Sequence, residues 1–221
     1  MTNAGPRFEH NLRLEIRSVL TGLPRVQHAL ENLLGRYEQL RLYDCLRTCL
    51  VELVTNALRA NLKHAFLTER GITDLANDVE YRAALQEFKV AYRDEVQAGE
   101  LRRRAEAMGL YVLVRFGCSQ EGLCVEVINN LPLRPHEESR IRSRFATAMG
   151  YTDLVDYFDD HHDDTEGSGL GFALNLFFLR AENIDPSLFR VGVVDGCTVA
   201  RIEVPFLESY SSPRQRYAEA V

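Results

Sequence analysis

Apolar residues recur at helical spacing through the first part of the chain. In residues 8–20 they lie four apart (Phe8, Leu12, Ile16, Leu20), which predicts one face of a helix. Residues 21–24 (TGLP) should end that helix, because glycine ends helices and proline cannot continue one. A second helix is predicted after them, and a longer one from residue 40 to about 65. The apolar stripe of the longer helix contains Leu42, Leu46, Leu50, Leu53, Val54, Leu58 and Leu62.

A segment rich in Glu and Arg follows, over residues 78–107. Its composition predicts a largely solvated helix, which would serve as a surface hairpin or as an arm that binds a partner.

After Gly109 the apolar period changes from helical to extended. Residues 110–116 (LYVLVRF) and 123–128 (LCVEVI) have strand composition, and the glycine-bounded segment between them predicts a hairpin. A short helix is predicted near 138–149, and a second helix should follow the glycine-rich turn at 167–171. Two last strands, 188–194 and 198–206, flank Asp195-Gly196, a strong hairpin signal. This order predicts an α+β sandwich with helices on one face of a sheet.

Composition narrows the class of protein. The 221 residues are 46% hydrophobic and 26% charged, as in a soluble globular protein. The net charge of −6 argues against nonspecific nucleic-acid binding. No apolar run approaches the ~20 residues of a membrane span, and residues 1–9 lack the apolar core of a signal peptide. The five cysteines show no CxxC spacing. We therefore expect a cytoplasmic protein with reduced thiols, no membrane span and no nucleic-acid partner.

Three separated segments contain candidate chemistry. In the first, Glu52 and Asn56 lie four apart and so share a helix face. An asparagine carbonyl oxygen suits Mg²⁺, which prefers hard oxygen ligands, and Arg59 adds a cation where phosphates would lie. An ordinary solvated helix face would show the same pair, so this segment alone leaves both interpretations open.

The second segment is the glycine-rich sequence 167–172 (GSGLGF), directly before an apolar helix. Its glycines would let backbone amides approach phosphate oxygens, and a helix N-terminus adds its positive dipole end. Neither the dinucleotide GxGxxG fingerprint nor a Walker A sequence is present. A plain tight turn is the alternative.

The third segment, residues 125–130 (VEVINN), is a strand that ends in two asparagines. A side chain at that point can direct an acceptor at an adenine amino group. Two asparagines after a strand are also what an ordinary turn contains.

Together and in this order, the three segments resemble the ATPase domain shared by histidine kinases, anti-sigma-factor kinases, gyrase, the Hsp90 chaperone and MutL. Residues 196–206 (GCTVARIEVPF) are similar to the closing strand of that family. The resemblance implies a two-layer α/β sandwich over residues 40–207 that holds ATP and Mg²⁺ between helices and a lid. Within that domain we place a lid at about 132–168 and a helical insertion at about 66–108, which is much longer than the family normally has. Outside it the sequence predicts extra N-terminal helices (1–39) and a C-terminal tail (208–221).

The same resemblance implies roles for individual residues. Asn56 would bind Mg²⁺, Glu52 would orient or activate water near the γ-phosphate, and Arg59 would contact phosphate. Asn129 would face adenine. The phosphate end of the lid would be shaped by Gly167, Gly169, Leu170 and Gly171. One departure is clear, since the family's Asp-x-Gly-x-Gly is replaced here by residues 129–133 (NNLPL) and both glycines are lost.

These features predict an ATP-binding, Mg²⁺-dependent signalling kinase or nucleotide switch that acts on a protein partner. The alternative is a non-catalytic scaffold or regulatory protein that kept the fold, which the altered segment 129–133 favours. The N-terminal helices, 8–37, are expected to mediate homodimerisation or partner docking instead of covering the core. His10 as a phosphoacceptor is a weaker hypothesis, because the proline of the family's phosphoacceptor box is missing. His161 and His162 as metal ligands are also a weaker hypothesis, because adjacent loop ligands rarely converge on one ion.

Overall fold

The computed structural model describes residues 8–72, 79–161 and 170–212, and within them the chain forms an α+β fold. All strand pairs of its five-stranded sheet are antiparallel. The strands are β1 (His10–Ile16), β2 (Val112–Cys118), β3 (Gly122–Asn129), β4 (Phe189–Val194) and β5 (Cys197–Pro205). Their order across the sheet is β1-β2-β3-β5-β4.

Seven α-helices occur in the described residues. They are α1 (Val19–Arg36), α2 (Tyr43–Glu69), α3 (Val79–Arg93), α4 (Glu95–Ala107), α5 (Pro135–Met149), α6 (Leu154–His161) and α7 (Leu170–Ala181). The central helix is α2, which packs on β2 and β3 and lies beside α1, α7 and α4. Apolar side chains of α1, α2 and α7 bury one face of the sheet and form the main core. None of the helices in the described residues combines the length and apolar character that crossing a membrane requires.

Both predicted hairpins are confirmed. The β4–β5 turn is made by Asp195 and Gly196, with φ of 49° and 75°. Two consecutive residues with positive φ make the turn that suits two-residue hairpins, and this is the reason that Asp-Gly predicts them. The helices predicted near 138–149 and after the glycine-rich turn are α5 and α7, whereas α6 was not predicted.

The helix predicted over residues 8–20 is wrong. Residues 10–16 form the edge strand β1, and α1 begins only at Val19 and continues through Pro24. A spacing of four residues is also a multiple of two, so the same apolar positions fit one face of a strand. Gly22 does not end a helix either; a Cβ there would overlap Ile16, and glycine lets α1 cross close to β1.

The N-terminal segment is part of the core. Buried side chains of α1, including Val26, Leu30 and Leu34, pack in the main core together with Ile16 of β1. The expectation that these helices do not cover the core is therefore wrong, whereas their role in homodimerisation or partner docking stays a prediction.

The charged segment 78–107 was predicted to be a surface hairpin or an arm that binds a partner, and its described residues form a helical hairpin of α3 and α4. Asp94 separates α3 from α4 and caps α4, accepting a hydrogen bond at 2.8 Å from the Gln97 N–H. The prediction that this segment is largely solvated is wrong on its inner side, where Phe88 and Leu101 pack against Phe66 of α2 in a second apolar cluster.

Candidate functional site

Glu52 and Asn56 form a hydrogen-bonded pair on α2. The Asn56 side-chain N–H donates to Glu52 Oε1 at 2.7 Å, and both side chains are half-buried. The i, i+4 spacing of the helix brings them together. This bond fixes the orientation of the Asn56 amide, because only its nitrogen can donate to a carboxylate. The Asn56 carbonyl oxygen consequently points away from Glu52 as an acceptor.

Gly171, in the first turn of α7, lies directly against Glu52. A Cβ at position 171 would overlap the Glu52 carboxylate and would lie 2.5 Å from its Cγ. Glycine is therefore needed here for the close approach of two helices. The structure brings the end of the glycine-rich segment to the Glu52–Asn56 pair. Gly167 and Gly169 lie outside the described residues, and Leu170 is described only as the first residue of α7.

Asn129 joins the end of β3 to the same helix. Its side-chain N–H donates to the Ala57 carbonyl at 3.1 Å, and its side-chain oxygen accepts from the Leu131 N–H at 3.2 Å. The residue is 4% exposed. Since a carbonyl oxygen has two lone pairs, Asn129 retains one acceptor position in this arrangement.

The neighbouring residues fix the strand ends. Asn130 accepts from the Tyr111 N–H and donates to the Gly109 carbonyl, both at 2.9 Å, which closes the start of β2. Thr198, opposite Asn129 in the β3–β5 register, donates its hydroxyl to the Leu131 carbonyl at 2.6 Å. The segment that departs from the family pattern is thus held by side-chain bonds.

Arg59 does not join the pair. Its guanidinium lies 5.0 Å from the centre of the Tyr92 ring of α3, and the side chain is exposed at the rim of a cavity beside α4. Cation–π contact with a tyrosine accounts for that orientation. Its implied role as a phosphate ligand beside Asn56 stays a prediction.

Lys63 is a site residue that the sequence motif did not indicate. It lies eleven positions after Glu52, so it shares the helix face, and its Nζ lies 2.5 Å from Glu137 Oε1 on α5. Burial by itself raises the pKa of Glu137, but the charge and hydrogen bond of Lys63, together with the Arg134 N–H, outweigh burial and lower that pKa. The ion pair fastens the start of α5 to α2.

A cavity of about 560 Å³ opens between α5 and Tyr157 of α6. Its wall is one face of α5, where residues at spacings of three and four carry polar side chains, among them Ser139, Arg140, Ser143 and Arg144. A volume of this size lies within the range of roughly 300–1,000 Å³ typical of small-molecule sites. Both helices belong to the segment 132–168 that the sequence predicts as the lid.

Neither histidine hypothesis gains support from geometry. Both ring nitrogens of His10 are engaged, Nδ1 with the Tyr37 hydroxyl at 2.6 Å and Nε2 with Arg36. Burial, with the hydrogen bond to Glu9, raises the pKa of that tyrosine to about 12. His162 and the side chain of His161 lie outside the described residues. Among the residues that are described, no three His, Cys, Asp or Glu side chains are grouped as metal ligands.

Comparison with known proteins adds a relative without an assigned activity. The chain is 28% identical over 199 residues to an uncharacterized protein of Treponema pallidum (strain Nichols). The matched region spans 88% of this chain and 38% of the relative, so the chain corresponds to well under half of that protein's length. No protein-family model matches the chain, and no solved structure matches it.

Proposed function

We propose that this chain is an ATP-binding, Mg²⁺-dependent domain of the histidine-kinase-like ATPase type, acting as a signalling kinase or nucleotide switch on a protein partner. The observation that carries the proposal is the contact of two distant segments, at Gly171 and at Asn129, with the stretch of α2 that contains Glu52 and Asn56. Gly171 contacts Glu52, Asn56 bonds Glu52, and Asn129 bonds the Ala57 carbonyl. The resemblance predicts that these segments meet, and their contacts with α2 support the proposal.

The residues present fit a magnesium–nucleotide complex. Mg²⁺ keeps several waters and substrate phosphate oxygens, so one or two protein oxygens are enough. The Asn56 oxygen meets that need, because its own amide nitrogen is already committed to Glu52. Bound Mg²⁺ would neutralise phosphate charge. Glu52 both holds the Asn56 amide in place and supplies a carboxylate that can orient water.

The other two parts of the nucleotide have candidate partners. The remaining lone pair of the Asn129 oxygen can accept a hydrogen from an adenine amino group. Arg140 and Arg144 give the α5 face of the lid segment positive charge, which favours an anionic ligand, although none of Glu52, Asn56 and Asn129 lines the same cavity. Phosphoryl transfer at such a site consists mainly of positioning and charge neutralisation.

The second candidate function is a scaffold that keeps the fold without turnover. It is favoured by Asn129, whose amide is held at both ends by protein groups at a nearly buried position. Without the glycines of the family pattern, the backbone near residues 130–133 offers less room for a base.

Calorimetry with ATP, followed by measurement of ADP release, separates these candidates. The kinase or switch requires saturable heat with ATP and Mg²⁺, and a kinase also requires slow ADP formation. Binding without turnover, unchanged by an excess of candidate protein substrates, would favour the scaffold. No heat and no thermal shift at millimolar nucleotide would refute ATP binding altogether. The variant Asn32→Ala, at an exposed position of α1, is a matched control for asparagine substitutions.

A further inference from the structure

The strand β1 is one edge of the sheet, so within the described residues one side of its backbone has no neighbouring strand. It pairs with β2 over its whole length, and neither a bulge nor a proline interrupts it. Four of its residues are exposed although their side chains alternate between the two faces, namely Asn11, Leu12, Arg13 and Glu15. Bulges and prolines are among the features that protect edge strands from pairing with another chain. The charges of β1 therefore decide which strand can pair with it.

The face of β1 that points away from the helices carries Arg13 and Glu15. In the register with β2, Arg13 lies directly opposite Arg115, and like charges in that position are destabilising. Arg115 Nη1 lies 3.6 Å from Glu126 Oε2, whereas Arg13 forms no ion pair or hydrogen bond within the described residues. Glu15 is 50% exposed, and its ion pair is with the exposed Arg17 at 2.7 Å. A carboxylate on the open side of β1 would therefore offset the repulsion at Arg13.

The opposite edge of the sheet, β4, does not supply that carboxylate. The strand contains no acidic residue, and Arg190, Val191 and Gly192 in its middle are half-buried. Its exposed residues, Val193 and Val194, adjoin the β4–β5 turn. Pairing of β1 with β4 of another copy would also leave a free edge on each end and continue into a filament.

A second copy of the chain supplies the carboxylate through β1 itself. Residues directly opposite each other in an antiparallel pair lie on the same face of the sheet. A two-fold axis at Leu14 places the two Leu14 side chains opposite each other, and it places Leu12 opposite Ile16 of the second copy. The same axis places Arg13 opposite Glu15 of the second copy. Because the interface is isologous, this ion pair occurs twice.

The other two-fold registers that overlap most of β1 do not give this match. An axis at Arg13 places the two arginines opposite each other, and an axis at Leu12 places Arg13 opposite Asn11. The register centred on Leu14 also brings Leu12, which is 37% exposed, beside the apolar Ile16. Charge and hydropathy therefore favour the same alignment.

We infer that β1 is a homodimerisation edge, at which two copies of the chain join their sheets antiparallel across a two-fold axis at Leu14. The interface contains one pair of strands, which lies at the small end of specific protein interfaces. We therefore expect a reversible dimer that forms at micromolar concentration. This inference does not depend on the proposed nucleotide site.

Sedimentation velocity of the full chain, over a concentration series from low micromolar upward, tests this interface. Arg13→Glu and Glu15→Arg each place like charges opposite each other twice, so each should weaken dimerisation by roughly tenfold or more. Both positions are exposed, so the melting temperature of the monomer should change little. Arg142→Glu is the matched control, because that arginine is 79% exposed and lies on α5, and it should dimerise like the parent.

Mixing the two variants distinguishes pairing at β1 from dimerisation elsewhere on the protein. One chain with Arg13→Glu and one with Glu15→Arg place opposite charges across the axis again, so the mixture should form a heterodimer more readily than either variant dimerises alone. The chain that carries both substitutions should regain the dimerisation of the parent. A parent that stays monomeric up to submillimolar concentration, single variants that dimerise like the parent, or a mixture without heterodimer would each overturn the inference.

Discussion

The contact between Gly171 and Glu52 gives a sharp prediction for Gly171→Ala. The new methyl group would overlap the Glu52 side chain from its carboxylate back to Cγ, so the whole side chain must rotate away from α7. That rotation breaks the 2.7 Å hydrogen bond from Asn56. A hydrogen bond to a charged group contributes about 1.5–3 kcal/mol. Replacing glycine in a helix returns up to about 1 kcal/mol, and less in a first turn.

The free energy of unfolding should therefore fall by about 1–2 kcal/mol, the difference between the lost bond and the gain in helix propensity. For a domain of this size the melting temperature should drop by roughly 2–8 °C. Gly35→Ala is the control, because a Cβ at that α1 position meets only Leu40, at an ordinary 3.9 Å. It should leave stability unchanged or raise it slightly.

A double-mutant cycle with Glu52→Ala tests whether the overlap is the cause. With the long side chain removed, Gly171→Ala has nothing to displace and should cost little or nothing in thermal or urea unfolding. Coupling between contacting residues is expected at this distance. If Gly171→Ala is as stable as the parent, or if it costs the same with and without Glu52, then the close packing of α7 on α2 does not position this pair.

Three other predictions concern the surroundings of the site. Glu137→Gln should destabilise the fold at pH 7 and much less at low pH, as measured by urea unfolding at several pH values. Because the pKa of Glu137 is lowered in the folded protein, its stabilising contribution is present above the ordinary glutamate pKa of about 4.3 and is lost as the pH falls through the lowered pKa. Asn129→Ala should weaken ATP binding by about 1–3 kcal/mol by calorimetry, whereas Asn129→Asp should keep the adenine acceptor and GTP should compete poorly. Because aspartate cannot donate to the Ala57 carbonyl, Asn129→Asp should also melt at a lower temperature than the parent. If Asn129→Ala binds ATP as tightly as the parent, Asn129 only stabilises the end of β3 and does not contact adenine. Deleting residues 1–37 should prevent folding, as judged by circular dichroism, because it removes an edge strand and buried side chains of α1; a folded deletion variant would contradict their place in the core.

The fold is predictable from sequence wherever a local signal has one meaning. Asp195-Gly196 predicts a two-residue hairpin, and β2 and β3 are short apolar segments separated by a glycine-bounded turn, so both strand pairs follow from local sequence. The first strand is not predictable in this way, because apolar residues four apart satisfy both a helix and a strand, and only pairing with β2 decides between them. Gly22 and Pro24 have the composition of a helix end, although close packing on Ile16 is the reason for the glycine.

The sequence predicts which candidate site residues share a face of α2, but not which residues of other helices they contact. Glu52 and Asn56 are placed correctly on one face, because their spacing is local. The partners of Lys63 and Arg59 lie on α5 and α3, far away in sequence, and the sequence gives no signal for which cation turns toward which neighbour.

The linkage between Mg²⁺ and ATP binding at Asn56 is the most decisive test of the proposed function. The measurement is the ATP dissociation constant with and without Mg²⁺, for the parent, for Asn56→Ala and for Asn32→Ala. We predict that Mg²⁺ tightens ATP binding in the parent and in Asn32→Ala, and that most of this gain is lost in Asn56→Ala while binding without Mg²⁺ is retained. An unchanged Mg²⁺ effect in Asn56→Ala would contradict the assignment of this residue, and no ATP binding in the parent would contradict the function.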